Sequence, residues 1–190
     1  KYDVDIAKAV RGKLLQESAI RALVQNIASC DEVWVVSRGA GENLRSLGYE
    51  GDYIVMENGV DVPRGRVSDE AIAAATGRYD LPQNVPVFLF VGRLMWYKGI
   101  RIILDALKTL REKNVDFRMV FIGEGADGAE IRSYAEERKL SDRCFFTGAI
   151  SDREIIRAWY GRSDLFLFPS TFDTNGLVVR EAAACGLGSV

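Results

Sequence analysis

Arg93 and Lys98 stand five positions apart in the stretch Gly92-Arg93-Leu94-Met95-Trp96-Tyr97-Lys98-Gly99. Two cations in one turn either converge on a single anion or remain solvated charges, whose exposed pairings contribute about 0–1 kcal/mol. The turn lies between an apolar run and an amphipathic one, and at such a strand-to-helix junction the helix N-terminus offers a site to phosphate. A second group lies in Phe172-Asp173-Thr174-Asn175-Gly176-Leu177-Val178-Val179-Arg180-Glu181-Ala182-Ala183-Ala184-Cys185-Gly186. A helical advance of about 100° per residue puts Leu177, Val178, Ala184 and Cys185 on one stripe, with Glu181 in its middle. A buried carboxylate without donors costs several kcal/mol, so Glu181 meets either a structural arginine, such as Arg162 or Arg180, or a ligand. Asp173, eight positions earlier, is either a loop acid capping the helix or a ligand-facing group. Asn175-Gly176 is a plausible cap that leaves amides at the helix start. Gly123-Glu124-Gly125 and Phe146-Thr147-Gly148-Ala149 each follow an apolar run; their glycines either form tight turns or let backbone approach a ligand closely. Trp96 and Tyr97 either cover a ligand or fill their loop, whereas Trp34 and Tyr160 fall in core patterns.

The elements that must hold these groups follow from hydrophobic period. Apolar residues Ile6, Val10, Leu14, Ile20, Leu23, Val24 and Ile27 recur at threes and fours over 5–29, the pattern of one or two helices, with Gly12 a point of weakness. A strand at 33–36, a helix at 41–47 and a strand at 53–56 follow. The stretch 58–69, with Asn58-Gly59, Pro63 and Gly65, reads as a linker, so the chain divides into 1–62 and 63–190. Beyond it strands at 86–91, 117–122, 144–146 and 165–168 alternate with helices at 100–111, 129–138, 152–160 and 176–185. Val87-Phe88-Leu89-Phe90-Val91 and Leu165-Phe166-Leu167-Phe168 are continuous apolar runs, as strands covered on both faces require. Repeated strand–helix units imply an α/β fold with a Rossmann-like, doubly wound parallel sheet, whose ligands sit beyond the carboxyl ends of the strands. Ser151 with Glu154 fits a capping box.

Composition narrows the chemistry. The chain has 190 residues, 48% hydrophobic and 27% charged, with a net charge of -2, so any grip on an anion must be local. It has no histidine, which removes histidine-based nucleophile activation and histidine metal ligation from this stretch. Cys30, Cys144 and Cys185 lack the paired spacing of zinc sites, and are expected to be reduced core thiols of a cytoplasmic protein. No apolar run approaches the roughly 18–20 residues of a membrane span. The absence of an initial methionine and the stop just after Gly186-Leu187-Gly188 suggest a segment of a longer parent.

Taken together, Gly92-Arg93…Lys98-Gly99, Gly123-Glu124-Gly125, Phe146-Thr147-Gly148 and Pro169-Ser170…Asp173…Gly176-Leu177-Val178…Glu181-Ala182 resemble the retaining glycosyltransferases of family 4, which have the GT-B fold. The Asn58-Gly59-Val60-Asp61 turn resembles that family's passage between its two Rossmann-like domains. The resemblance implies that 1–62 closes an acceptor-binding N-terminal domain and that 63–190 is most of a nucleotide-sugar domain. It places Arg93 and Lys98 on the donor diphosphate and Glu181 on the ribose hydroxyls. It puts Asp173 on the donor sugar, amides near Gly176 and Leu177 on sugar and phosphate, Gly123 and Gly125 near the donor, and the backbone of Thr147, Gly148 and Ile150 at the base. It implies no cofactor and no metal beside the donor, a nucleoside-diphosphate sugar with UDP the leading expectation. It further implies a carbohydrate or lipid-linked acceptor and a parent in the cytoplasm or peripherally at a membrane, with the 190-residue chain expected to bind donor without transferring it. The family usually has glutamate where this chain has Asp173, one methylene shorter. The rivals are a nucleotide-sugar epimerase on the same fold and a non-catalytic nucleotide-binding module.

Overall fold

A computed structural model describes residues 12–170, 173 and 175–190. These fall into two compact units: the chain up to Gly59 together with Asp173 and Asn175, and residues 60–170 with Gly176–Val190.

In the first unit, α1 (Lys13–Ala28) begins directly after Gly12, and the expected turns before it lie outside the described residues. β1 (Trp34–Val35) and β2 (Ile54–Val55) pair in parallel around α2 (Arg38–Ser46), whose first turn is capped by the Ser37 hydroxyl accepting from the Ala40 amide at 3.1 Å. Val24, Val35, Leu44 and Tyr49 make its core. Three expectations fail here. Trp34 is 58% exposed, with its indole N–H donating to Glu32, because nothing among the described residues covers the face it occupies on this two-stranded sheet. Leu14, in the first turn of α1, is exposed, and Cys30 is an exposed thiol just past that helix's end.

The second unit is built on a parallel sheet in the order β5-β4-β3-β6, from β3 (Val87–Val91), β4 (Arg118–Ile122), β5 (Cys144–Gly148) and β6 (Leu165–Phe166). Successive side chains of a strand point to opposite faces. Phe90, Met119 and Phe121 accordingly pack with α4 (Ile100–Glu112) and α5 (Gly128–Glu137), while Val87, Leu89, Val120 and Ile122 join Trp159 and Tyr160 of α6 (Arg153–Arg162) and Ala182 of α7 (Leu177–Ala184). Both faces are therefore dry, which is why these strands read as unbroken apolar runs. α4 buries Ile100, Ile103, Leu104 and Leu107, the spacing of one helical stripe. Ser189 forms a parallel bridge with Phe166 on the far side of β6.

The sequence pattern missed α3 (Asp69–Thr76), which starts where the linker was expected to end. Ser68 caps it, accepting from the Ala71 amide at 3.3 Å, and Ile72 and Thr76 are buried. The capping box at Ser151 is also corrected: Asp152 is the cap of α6, its carboxylate accepting from the Glu154 amide at 2.8 Å, while Glu154 pairs with Arg157. Cys144 and Cys185 are buried as expected, and burial pushes the Cys144 thiol up to about 12. Among the described residues no helix is long and apolar enough to cross a membrane.

Candidate active site

The sheet order places β3, the first strand of the second unit, between β4 and β6, so chain direction over the sheet switches between β3 and β6. Ligands of doubly wound sheets sit beyond the carboxyl ends at that switch. Four segments arrive there. The loop after β3 is held by backbone and side-chain ties: the Gly92 amide donates to Ile122 O at 2.9 Å, Leu94 N to Glu124 O at 3.0 Å, and Trp96 N to Asp127 Oδ2 at 2.8 Å. It then makes one 3-10 turn, Trp96–Lys98, and enters α4 through Gly99, whose φ of 77° and closeness to the Pro169 carbonyl oxygen exclude any side chain. Arg93 is exposed and its Nη2 donates to the Tyr97 hydroxyl at 2.6 Å. The Lys98 ammonium lies 5.6 Å from the Tyr97 ring centroid and 5.8 Å from that of Phe168, beyond β6.

After β4, Gly123 and Gly125 press against the loop that follows β3. A Cβ on Gly123 would collide with the Gly92 carbonyl, and one on Gly125 with the Leu94 carbonyl. Close approach of the two loops thus explains both glycines. After β5, Thr147 Oγ1 donates to Gly148 O at 2.9 Å, and that same carbonyl accepts from the Gly123 amide at 2.9 Å. Glu124 reaches over Gly148, its Oε1 3.4 Å from where a Cβ of that glycine would stand. Ile150 packs half-buried on the α6–α7 side of the sheet.

α7 supplies the fourth segment. Gly176 is its cap and has no side chain to offer, while Leu177, the first helical residue, is 39% exposed. The expected stripe is shifted: Ala182 and Cys185 are its buried members, and Glu181 sits at its half-buried border. Glu181 Oε2 accepts from the Tyr160 hydroxyl at 3.1 Å. Arg162, a structural partner considered for it, instead donates to the carbonyls of Leu81 and Pro82 at 2.8 and 3.2 Å. Asp173 is exposed and belongs to the first unit, so it is not among the residues this unit brings together; Phe172 and Thr174 beside it lie outside the described residues.

The family model of the glycosyl transferases group 1 matches residues 73–190, which contain all of these segments. The chain belongs to that family. Among curated relatives of this group 1 chain, a D-inositol 3-phosphate glycosyltransferase of Xylanimonas cellulosilytica is 32% identical over 173 residues, covering 85% of this chain and 40% of the relative. A GDP-mannose-dependent alpha-(1-6)-phosphatidylinositol dimannoside mannosyltransferase of Mycobacterium tuberculosis is 35% identical over 179 residues, covering 92% of this chain and 44% of the relative. The chain thus spans less than half the length of these relatives. Among solved structures, sucrose-phosphate synthase from Thermosynechococcus elongatus superposes with a TM-score of 0.75 at 26% identity, covering 97% of this chain and 46% of that one. Anabaena HepE, solved in complex with UDP-glucose, gives 0.78 at 22%, covering 91% and 48%. The Rossmann-like α/β fold of this chain is that of these GT-B glycosyltransferases.

The two cations and the glycine turns thus follow β3, β4 and β5 at the carboxyl ends of one sheet, and Glu181 lies in the same unit on the helix after β6. That arrangement can present positive charge, backbone amides and a carboxylate to a ligand carrying both phosphate and hydroxyl groups. Among the described residues no three cysteine, aspartate or glutamate side chains gather to hold a metal ion. Sequence reasoning missed the partner of Glu181. Tyr160 fits a core pattern, and a buried phenol needs an acceptor, but that requirement does not distinguish a carboxylate from a backbone carbonyl. Burial foremost, then the charge of Glu181, push the Tyr160 phenol well above its ordinary range. The Asp127 grip on the cation loop carries no local signal, since 31 positions separate the partners.

Proposed function

We propose that this chain is the donor-binding part of a retaining, metal-independent glycosyltransferase that uses a nucleoside-diphosphate sugar, with UDP the leading candidate. What supports the reading is that the Arg93 loop, the Gly123 turn and the Thr147–Gly148 end of β5 meet beyond the carboxyl ends of one sheet, with Glu181 on the helix after β6 in the same unit. Arg93 and Lys98 take the diphosphate. As the bond between the anomeric carbon and the phosphate oxygen breaks, charge grows on the leaving nucleoside diphosphate, and each charge-assisted hydrogen bond to it is worth about 1.5–3 kcal/mol. Glu181, oriented by Tyr160, accepts from ribose hydroxyls. The backbone at Thr147, Gly148 and Ile150 lies at the base, with Gly123 and Gly125 forming the floor beside it, and the amides near Gly176 and Leu177 lie at sugar and phosphate. Asp173 is proposed for the sugar hydroxyls from its place in the motif alone. The complexes of Anabaena HepE with UDP and UDP-glucose support a nucleotide-sugar donor. The acceptor is a carbohydrate or lipid-linked molecule engaged by sequence outside these 190 residues, in a cytoplasmic or membrane-peripheral parent, and the chain alone binds donor without transferring sugar.

Calorimetric titration of UDP, GDP and ADP into the chain tests the reading. One nucleoside diphosphate should bind, and Arg93→Ala and Glu181→Ala, each shown to be folded, should weaken it by more than about 1.5 kcal/mol. Binding of none, with Glu181→Ala lowering only stability, would leave Glu181 a structural acid. Sugar transfer by the chain alone would refute its predicted inactivity.

A further inference from the structure

Tyr97 is in contact range of both cations of the loop after β3. Arg93 Nη2 donates to its hydroxyl at 2.6 Å, the Arg93 guanidinium carbon lies 5.9 Å from its ring centroid, and the Lys98 ammonium lies 5.6 Å from the same centroid. Its place is fixed from both sides. The 3-10 turn that carries it is tied at its start by the Trp96 amide bonding to Asp127 and at its end by Gly99, pressed against the Pro169 carbonyl.

We infer that Tyr97 is a positioning residue that holds Arg93 and Lys98 in the geometry that meets the diphosphate, an inference that rests on the function proposed above. The reason lies in the chemistry of the partner. A carboxylate could orient Arg93 as firmly, but it would neutralise the charge that the phosphate needs, and binding would have to break an ion pair. A phenol oxygen accepts the guanidinium N–H without cancelling its charge, and the ring's negative face attracts the neighbouring ammonium. One neutral side chain therefore orders two like charges, whose mutual repulsion would otherwise drive them apart. Ordering before binding is worth affinity because a four-bond side chain loses rotamer freedom when it docks.

The test separates this role from packing and from the proposed function. Each of UDP, GDP and ADP, with the corresponding nucleoside, is titrated into the 190-residue chain and its Tyr97→Phe, Tyr97→Ala and Arg93→Ala variants, each shown to be folded by circular dichroism. Tyr97→Phe removes the hydroxyl and keeps the ring, so it should weaken the diphosphate about three- to tenfold and leave the nucleoside within about twofold. Tyr97→Ala should weaken the diphosphate further, since the ring beside Lys98 is then lost. In the Arg93→Ala background Tyr97→Phe should add less than about twofold, because its effect passes through Arg93. The Arg93 Nη2–H protons, which the Tyr97 hydroxyl accepts, should also exchange faster in Tyr97→Phe in the absence of any nucleotide. Equal weakening of diphosphate and nucleoside would make Tyr97 a packing residue and overturn the inference. Unchanged diphosphate binding in Tyr97→Phe, with Arg93→Ala still weakening it, would overturn the inference and leave the proposed function standing. Failure of every nucleoside diphosphate to bind the unaltered chain would overturn both.

Discussion

Replacing Tyr160 by phenylalanine removes one oxygen from a site that is 1% exposed, and with it the hydroxyl that donates to Glu181 Oε2 at 3.1 Å and lies 3.4 Å from Val178 O. A hydrogen bond to a charged group contributes about 1.5–3 kcal/mol. Glu181 is only half-buried, so water replaces part of the lost donor, and the net cost should be about 1–2 kcal/mol. For a chain of this size that lowers the melting temperature by about 2–8 °C. The same change frees the Glu181 carboxylate to rotate, so the nucleoside diphosphate should bind more weakly by a further several-fold. Thermal melts followed by circular dichroism give the first number and calorimetric titration the second. A double-mutant cycle with Glu181→Gln isolates the pair, and the coupling should account for most of the Tyr160→Phe effect. An undiminished effect of Tyr160→Phe in the Glu181→Gln background would refute the reasoning, since the hydroxyl would then act on something other than this carboxylate.

Gly99→Ala should destabilise by about 2–4 kcal/mol, from left-handed backbone strain and collision with the Pro169 carbonyl, whereas Gly186→Ala, at nearly the same φ but with open space around it, should cost only about 1 kcal/mol; denaturant melts compare them. Asp152→Ala should lose about 1 kcal/mol by removing the α6 cap, and Ser151→Ala should be neutral in the same melts. In alkali the sign is set by raised values: Cys144 and Tyr160 hold their protons more tightly folded than unfolded, so their contribution is complete below about pH 9 and declines as pH rises toward about 12 and beyond. Melting temperature against pH should fall over that range, and less steeply in Cys144→Ala. In acid the opposite holds for Asp105. Desolvation raises its carboxyl, but hydrogen bonds from Arg138 and Tyr134, with the charges of Arg138 and Arg101, outweigh that and lower it. Its small contribution is present above about pH 4 and lost below, and Arg138→Leu should flatten that part of the curve.

The strands of the second unit were legible because both faces are covered, so that hydrophobicity alone marks β3 and β4. Once those are placed, the turns holding Arg93, Gly123 and Gly148 follow, since a loop must begin where the apolar run stops. α3 had its local signals in Ser68, Asp69, Glu70 and the alanines after them, but the turn residues just before it drew the stretch into a linker. Trp34 shows the limit of pattern: a β-branched and aromatic run says that a strand forms, not whether anything covers its second face. The Glu181 partner was out of reach for a similar reason. A stripe on α7 says that something faces the carboxylate, and only the packing of α6 against α7, 21 positions away in sequence, says that it is Tyr160.

The contact between the loops after β3 and β4 is made by backbone on both sides, with Gly123 against the Gly92 carbonyl and Gly125 against that of Leu94. Neither loop can shift without displacing the other, so a nucleotide binding as proposed would meet a wall that is already set. Association should then proceed in one kinetic step with a rate proportional to ligand concentration, the slow ordering phase of a closing lid being confined to groups outside this pair of loops.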